Sequence, residues 1–121
     1  MIVAIGADLI EKKRVQKACE KESFRNKMFT QDEIKLCEND TVKFSDNFAV
    51  KESVSKMLGT GFREIKPIEI EVLRDSLGKP YVNLYGKSLE HANKLGITKI
   101  FTTISNTKDF SLAFVIGERE D

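Results

Sequence analysis

Apolar and polar positions divide this chain into a helical first half and a strand-rich second half. Residues 2–5, Ile-Val-Ala-Ile, form a continuous apolar run closed by Gly6, the pattern of a buried strand. A base-rich segment from about Ile10 to Glu22 predicts a first helix. A second helix starts at Thr30, where Thr30 and Glu33 have capping-box spacing and Phe29 and Ile34 stand where a hydrophobic staple would pack. It is expected to end near Glu38, before the polar Asn39-Asp40-Thr41. A third helix runs from Ser45 or Asp46 to Leu58, with Gly59 placed to stop it. On a helical projection Ala49, Val50, Ser53, Val54, Met57 and Leu58 share one broad face, while Phe48, Glu52 and Lys56 form the stripe beside it. Glu52 and Lys56 are therefore expected at the rim of the buried face.

In the second half, Ile68, Ile70 and Val72 alternate with Glu69 and Glu71, predicting a strand with one wet face. Asp75 to Pro80 reads as a turn, and Tyr81 to Tyr85 as the returning strand of a hairpin. A short helix from Ser88 to Leu95 ends at Gly96. Lys99–Ile104 and Phe110–Gly117 form a second hairpin through Asn106-Thr107-Lys108-Asp109. The expected class is α+β, an antiparallel sheet with helices packed against it, in a single domain over residues 1–121.

Composition narrows this only a little. The 121 residues are 40% hydrophobic and 32% charged, as in a soluble globular protein. No apolar run approaches the roughly 20 residues a bilayer span needs. The N-terminus lacks a basic leader and a small-residue cleavage site, so a cytoplasmic location without membrane association is expected. Cys19 and Cys37 have no metal-ligand spacing and read as reduced thiols. Net charge is +1, but between Glu11 and Lys27 seven bases (Lys12, Lys13, Arg14, Lys17, Lys21, Arg25, Lys27) face three acids (Glu11, Glu20, Glu22). Such a segment suits an encounter with an acidic partner or an ordinary solvated face. Nucleic acid is disfavoured, because aromatic residues are not interleaved with the bases.

Three residues could carry chemistry, and each has a plain structural use. Asp8 with Glu11 could cap the first helix. Glu52 and Lys56 could be an i, i+4 surface pair. If Asp8 and Glu52 converge, however, two carboxylates could hold Mg²⁺ shared with substrate phosphates, with Lys56 beside it.

Four segments together resemble the holo-acyl-carrier-protein synthases, of the 4′-phosphopantetheinyl transferase family. They are Ile5-Gly6-Ala7-Asp8-Leu9-Ile10 followed by Arg14; Phe48-Ala49-Val50-Lys51-Glu52-Ser53 with Lys56, running on into Leu58-Gly59-Thr60-Gly61-Phe62; Gly78-Lys79-Pro80; and Ile104-Ser105-Asn106-Thr107. The resemblance covers essentially the whole chain. It implies that fold and a transfer of phosphopantetheine from coenzyme A to a serine of apo acyl carrier protein, releasing 3′,5′-ADP. It further implies that Asp8 and Glu52 bind Mg²⁺, that Glu52 assists removal of the serine proton, and that Lys56 serves the departing phosphate. Gly59, Thr60 and Gly61 would approach coenzyme A, and Arg14, Lys17 and Lys21 would meet the acidic carrier protein. The family's homotrimers, with coenzyme A bound between subunits, imply the same assembly here.

The chain departs from the family at two places. Asn47 stands where the family commonly has arginine, and Asn106 where it commonly has histidine, both associated with phosphate and coenzyme A contacts. Asparagine keeps hydrogen-bonding capacity without the charge, which Lys51 or Lys108 could supply instead. With that charge lost, a non-catalytic binder of carrier protein or coenzyme A is the alternative reading. His91 stands away from every motif and is expected to be a surface residue.

Overall fold

The computed structural model of the protein describes residues 1–120. Ten regular elements follow one another: β1 (Ile2–Glu11), α1 (Lys12–Ala18), α2 (Glu22–Met28), α3 (Gln31–Cys37), α4 (Val42–Leu58), β2 (Ile70–Arg74), β3 (Pro80–Leu84), α5 (Gly86–Leu95), β4 (Lys99–Asn106) and β5 (Phe110–Glu118). A single 3₁₀ turn, Pro67–Glu69, precedes β2. The sheet β1-β5-β4 and the hairpin β2-β3 are both antiparallel, so the class is α+β as expected.

The first strand departs from expectation. It does not stop at Gly6 but pairs with β5 to its end, Asp8 opposite Ala113 and Glu11 opposite Phe110. Asp8 is thus a strand residue, and the helix cap expected of it does not exist; Glu11 precedes α1 and makes no capping bond through its side chain. The single basic helix expected from Ile10 to Glu22 is the short α1, and α2 follows it as an element the sequence reading missed. Thr30 and Glu33, by contrast, form the full reciprocal capping box at α3.

Helix α4 organises the molecule. It begins at Val42, earlier than expected, and ends at Gly59 in the left-handed conformation, with φ of 79°. Its apolar face lies on β1 and β5, where Ala49, Val50, Val54, Ala113 and Val115 have no exposed surface. Its opposite face is also covered, by α1, α3 and β2, so Ser45, Asn47 and Lys51 are buried too. The closest approach is at Gly6 in β1, where a Cβ would overlap the carbonyl oxygen of Ser53. That obstacle is backbone and cannot swing aside. Gly6→Ala is therefore expected to cost about 3 kcal/mol of stability, read as a lowered midpoint in urea unfolding.

Expectation and structure also part at β2. Glu71 was assigned to a wet face, but only 5% of it is exposed. Its carboxylate accepts hydrogen bonds from the Thr30 hydroxyl at 2.6 Å, and from Asn83 Nδ2 and the Tyr85 hydroxyl at 3.1 Å each. Cys19 and Cys37 are free and buried, and burial pushes their thiols up to about 11 and about 12, which leaves them inert.

Candidate active site

Side chains alternate along β1, so Asp8 points the same way as Gly6, toward α4. This is what brings the strand acid to the helix stripe. Lys56 Nζ lies 2.5 Å from Asp8 Oδ1 and 3.2 Å from the carbonyl oxygen of Ala7. Glu52 is one helical turn before Lys56 and half-buried. Burial, and then the negative charge of Asp8, raise the Glu52 carboxyl above its usual range, with Lys56 pulling the other way. The three residues thus form one electrostatic unit, joining an element near the N-terminus to the middle of the chain.

The donor set is specific in what it fits. Among the described residues no group of three or more His, Cys, Asp and Glu side chains could hold a metal. Two neighbouring carboxylates suit Mg²⁺, which keeps several waters and completes its shell with substrate phosphates. A structural zinc would need four closed ligands, which the described residues do not bring together.

A cleft of about 360 Å³ opens beside this cluster, lined by Leu9, Arg14, Val15, Phe24, Phe48 and Glu52 among others. It runs from the basic face of α1 to the carboxylate of Glu52. Arg14, Lys17 and Lys21 are all exposed at the surface near it, although Lys21 belongs to the break between α1 and α2 and not to one continuous helix. Phe24 is the cleft residue that sequence reasoning missed, because the helix carrying it was not foreseen.

The Gly59-Thr60-Gly61 turn is first of all a helix stop. Its glycines have φ of 79° and 58°, yet nothing lies within 4 Å of where their Cβ atoms would stand. Backbone conformation, and not crowding, calls for glycine here. The three amides donate back into the last turn of α4, Gly59 to Lys56 and both Thr60 and Gly61 to Ser55. They are spent, and the helix C-terminus carries partial negative charge. The turn therefore offers an open surface and no amide cradle for phosphate.

Asn47 is not where its expected role requires. It has no exposed surface, and its Nδ2 donates to Glu33 Oε2 at 3.0 Å and to the Val72 carbonyl at 2.9 Å. Residues 42–58 bury this position between α3 and β2, so within one chain it cannot touch coenzyme A. Lys51 cannot replace the missing charge either. Its ammonium donates to Glu33 Oε1 at 2.7 Å, to Pro67 O at 3.0 Å and to Ile70 O, and lies over the Phe29 ring. Burial raises the Glu33 carboxyl and lowers the Lys51 amine. Three acceptors around one nitrogen nonetheless demand three protons, which keeps Lys51 an ammonium and Glu33 its carboxylate.

Asn106 ends β4, exposed, next to Ser111 Oγ at 3.2 Å. Ser111 also faces Asp46 Oδ1 at 2.7 Å. The shorter contact is to the Asp46 carboxylate, and Asn106 Oδ1 is the second, longer acceptor of the same hydroxyl. Among the described residues no hydrogen bond joins Asn106 to the Asp8 cluster. Lys108 is exposed in the adjacent turn. His91 is partly exposed on α5 and paired with Glu64 at 3.1 Å, outside every motif.

Residues 4–115 match the family model described as the 4′-phosphopantetheinyl transferase superfamily. A holo-[acyl-carrier-protein] synthase of Lachnoclostridium phytofermentans is 55% identical over 118 residues, spanning 98% of this chain and 97% of the relative. Among solved structures, the holo-ACP-synthase of Plasmodium yoelii is 32% identical with a TM-score of 0.84, covering 100% of this chain and 98% of that one. That of Bacillus anthracis, in complex with CoA (3′,5′-ADP), is 29% identical with a TM-score of 0.80 and 99% coverage of both chains.

Proposed function

Because this chain belongs to the 4′-phosphopantetheinyl transferase superfamily, we propose that it is the Mg²⁺-dependent enzyme that moves phosphopantetheine from coenzyme A to a serine of apo acyl carrier protein. The observation that carries this reading is the Asp8–Lys56 ion pair set beside Glu52, whose side chain lines a cleft bordered by the basic α1. In the reaction, the serine oxygen bonds to the phosphorus on the pantetheine side of the pyrophosphate. The bond from that same phosphorus to the bridging oxygen breaks, and the oxygen leaves with the adenosine-side phosphate as 3′,5′-ADP. Asp8 and Glu52 would hold Mg²⁺, which when bound neutralises charge on the phosphates. Glu52, half-buried on α4 beside Asp8, would accept the serine proton. Lys56, exposed and on a flexible stem, reaches the departing phosphate. Gly59 and Gly61 offer the surface over which the rest of coenzyme A lies, while Thr60 is buried between them with its hydroxyl bonded to the Gly61 carbonyl. Asn106 and Lys108 extend the contact from the hairpin, while Asn47 contributes none.

Arg14, Lys17 and Lys21 would steer the acidic carrier protein, and the apolar floor formed by Val15, Phe24 and Phe48 would seat it with its serine toward Glu52. Assembly into a homotrimer has its own support. The sheet face turned away from α4 exposes Ile5, Leu9, Phe101, Leu112 and Phe114, with Leu9 59% and Phe101 48% exposed. Such a contiguous apolar face asks for a protein cover. Leu112→Lys with Phe114→Glu is expected to yield a folded monomer with at least tenfold weaker coenzyme A binding, seen by sedimentation and calorimetry. A wild-type protein that sediments as a monomer while active would refute the assembly.

Among the described residues no helix is long and apolar enough to cross a membrane, which suits the cytoplasmic location we assign. The reading is tested by incubating the protein with apo carrier protein, coenzyme A and Mg²⁺ and weighing the carrier. A gain of one phosphopantetheine supports the enzyme. Binding without gain in mass would establish the non-catalytic alternative.

A further inference from the structure

The cluster contains one ammonium and two carboxylates, and the ammonium is already seated on one of them. Lys56 Nζ takes Asp8 Oδ1 at 2.5 Å and the Ala7 carbonyl at 3.2 Å, and among the described residues no other side chain hydrogen-bonds to Asp8. The proposed function needs the same two groups elsewhere. It gives the Asp8 carboxylate to a divalent cation and the Lys56 amine to a phosphate of coenzyme A. Lys56 occupies Oδ1, and a cation on Oδ2 of the same carboxylate would still stand close beside the ammonium. Asp8 is only 15% exposed, so their repulsion would be weakly screened there.

We infer that Lys56 has a second role, as the built-in competitor of the divalent cation at Asp8: it holds that carboxylate before the cation binds and is released toward the substrate phosphate when it does. The two partners differ in the way this exchange requires. Lys56 is 54% exposed and its long stem is free to swing, whereas Asp8 is fixed by the pairing of β1 with β5. Lys56 also sits one turn from Glu52, so a short rotation carries the amine from the strand acid toward the exposed Gly59 at the end of α4. Cation loading and placement of the phosphate-binding amine thereby become one event. Without a cation, Lys56 stays on Asp8 and the site is poorly set for a pyrophosphate. With one, the amine is freed where negative charge will develop.

The consequence runs against the usual effect of deleting a residue from a reaction centre. Removing Lys56 should strengthen cation binding. The inference rests on the metal reading of Asp8 and Glu52, and the test separates the two. Mn²⁺ is titrated alone, without coenzyme A, into the wild-type protein and into Lys56→Met, Lys56→Arg and Asp8→Asn, with free Mn²⁺ followed by electron paramagnetic resonance. Lys56→Met should bind Mn²⁺ about tenfold more tightly, a difference of about 1.4 kcal/mol. Lys56→Arg, which keeps the charge, should stay at or below wild-type affinity, and Asp8→Asn should bind at least tenfold more weakly. Weakened binding in Asp8→Asn together with unchanged or weaker binding in Lys56→Met would overturn the competition while leaving the metal site standing. Unaltered binding in Asp8→Asn would overturn the metal reading and this inference with it.

Discussion

Glu52→Ala is expected to lower the transfer rate by about a thousandfold or more while leaving the fold intact, and Asp8→Ala to do nearly the same. Neither side chain supports the core: Glu52 is half-buried along the cleft, and among the described residues the Asp8 side chain hydrogen-bonds only with Lys56. Circular dichroism and unfolding midpoints should therefore stay close to wild type. On the proposal that both carboxylates serve one cation, the double variant should be hardly worse than either single one. Glu52 gives a further signature. Burial and the Asp8 charge raise its carboxyl, and only the deprotonated form accepts a proton. In the metal-free protein the Glu52 carboxyl should therefore titrate above its usual range, and Asp8→Asn, which removes one cause, should lower it, read by NMR titration without Mg²⁺. Near-normal turnover by Glu52→Ala at saturating Mg²⁺ would remove the residue from the chemistry.

The second large effect lies in the interior. Lys51→Met is expected to cost about 3–5 kcal/mol of stability, because it strands the Glu33 carboxylate away from water. Glu33 is fully buried with Lys51 against it at 2.7 Å, and the Lys51 ammonium also satisfies the carbonyls of Pro67 and Ile70. Removing both charges together, as Glu33→Leu with Lys51→Met, should recover most of that loss, since the cost comes from the unpaired charge and not from absent attraction. Denaturant midpoints of the two single variants and the double one give the answer. A double variant no more stable than the singles would mean that the hydrogen bonds, and not charge pairing, hold this region.

The parts of the fold legible in sequence are those governed by local rules. The α3 capping box, the glycine stops after α4 and α5, and both hairpins needed only neighbours in sequence to declare themselves. Strand β1 was misjudged because its outward residues, Ile5, Ala7 and Leu9, are apolar too, which hides the period-two alternation that would have carried the strand past Gly6. Asp8 then looked like a helix cap when it is a strand side chain aimed at α4. Lys51 was read as available to supply charge for coenzyme A for a different reason. A helical projection cannot see that Glu33 arrives from 18 residues away. Glu71 was likewise assigned to water because Thr30, Asn83 and Tyr85 come from three other segments.

The candidate site followed the same logic. Glu52 and Lys56 were placed correctly by helical spacing, but their meeting with Asp8 depends on Gly6 letting β1 lie against α4, a tertiary fact. Asn47 was assigned by resemblance to a ligand it cannot reach, since its place on α4 is decided by the covering of a second helix face.

Crystals grown with coenzyme A and Mn²⁺, measured at the manganese edge, address the central claim most directly. One anomalous peak within about 2.3 Å of oxygens from both Asp8 and Glu52, with Lys56 turned away from Asp8, is the predicted result. A manganese peak that touches neither acid, with coenzyme A in place, would contradict it.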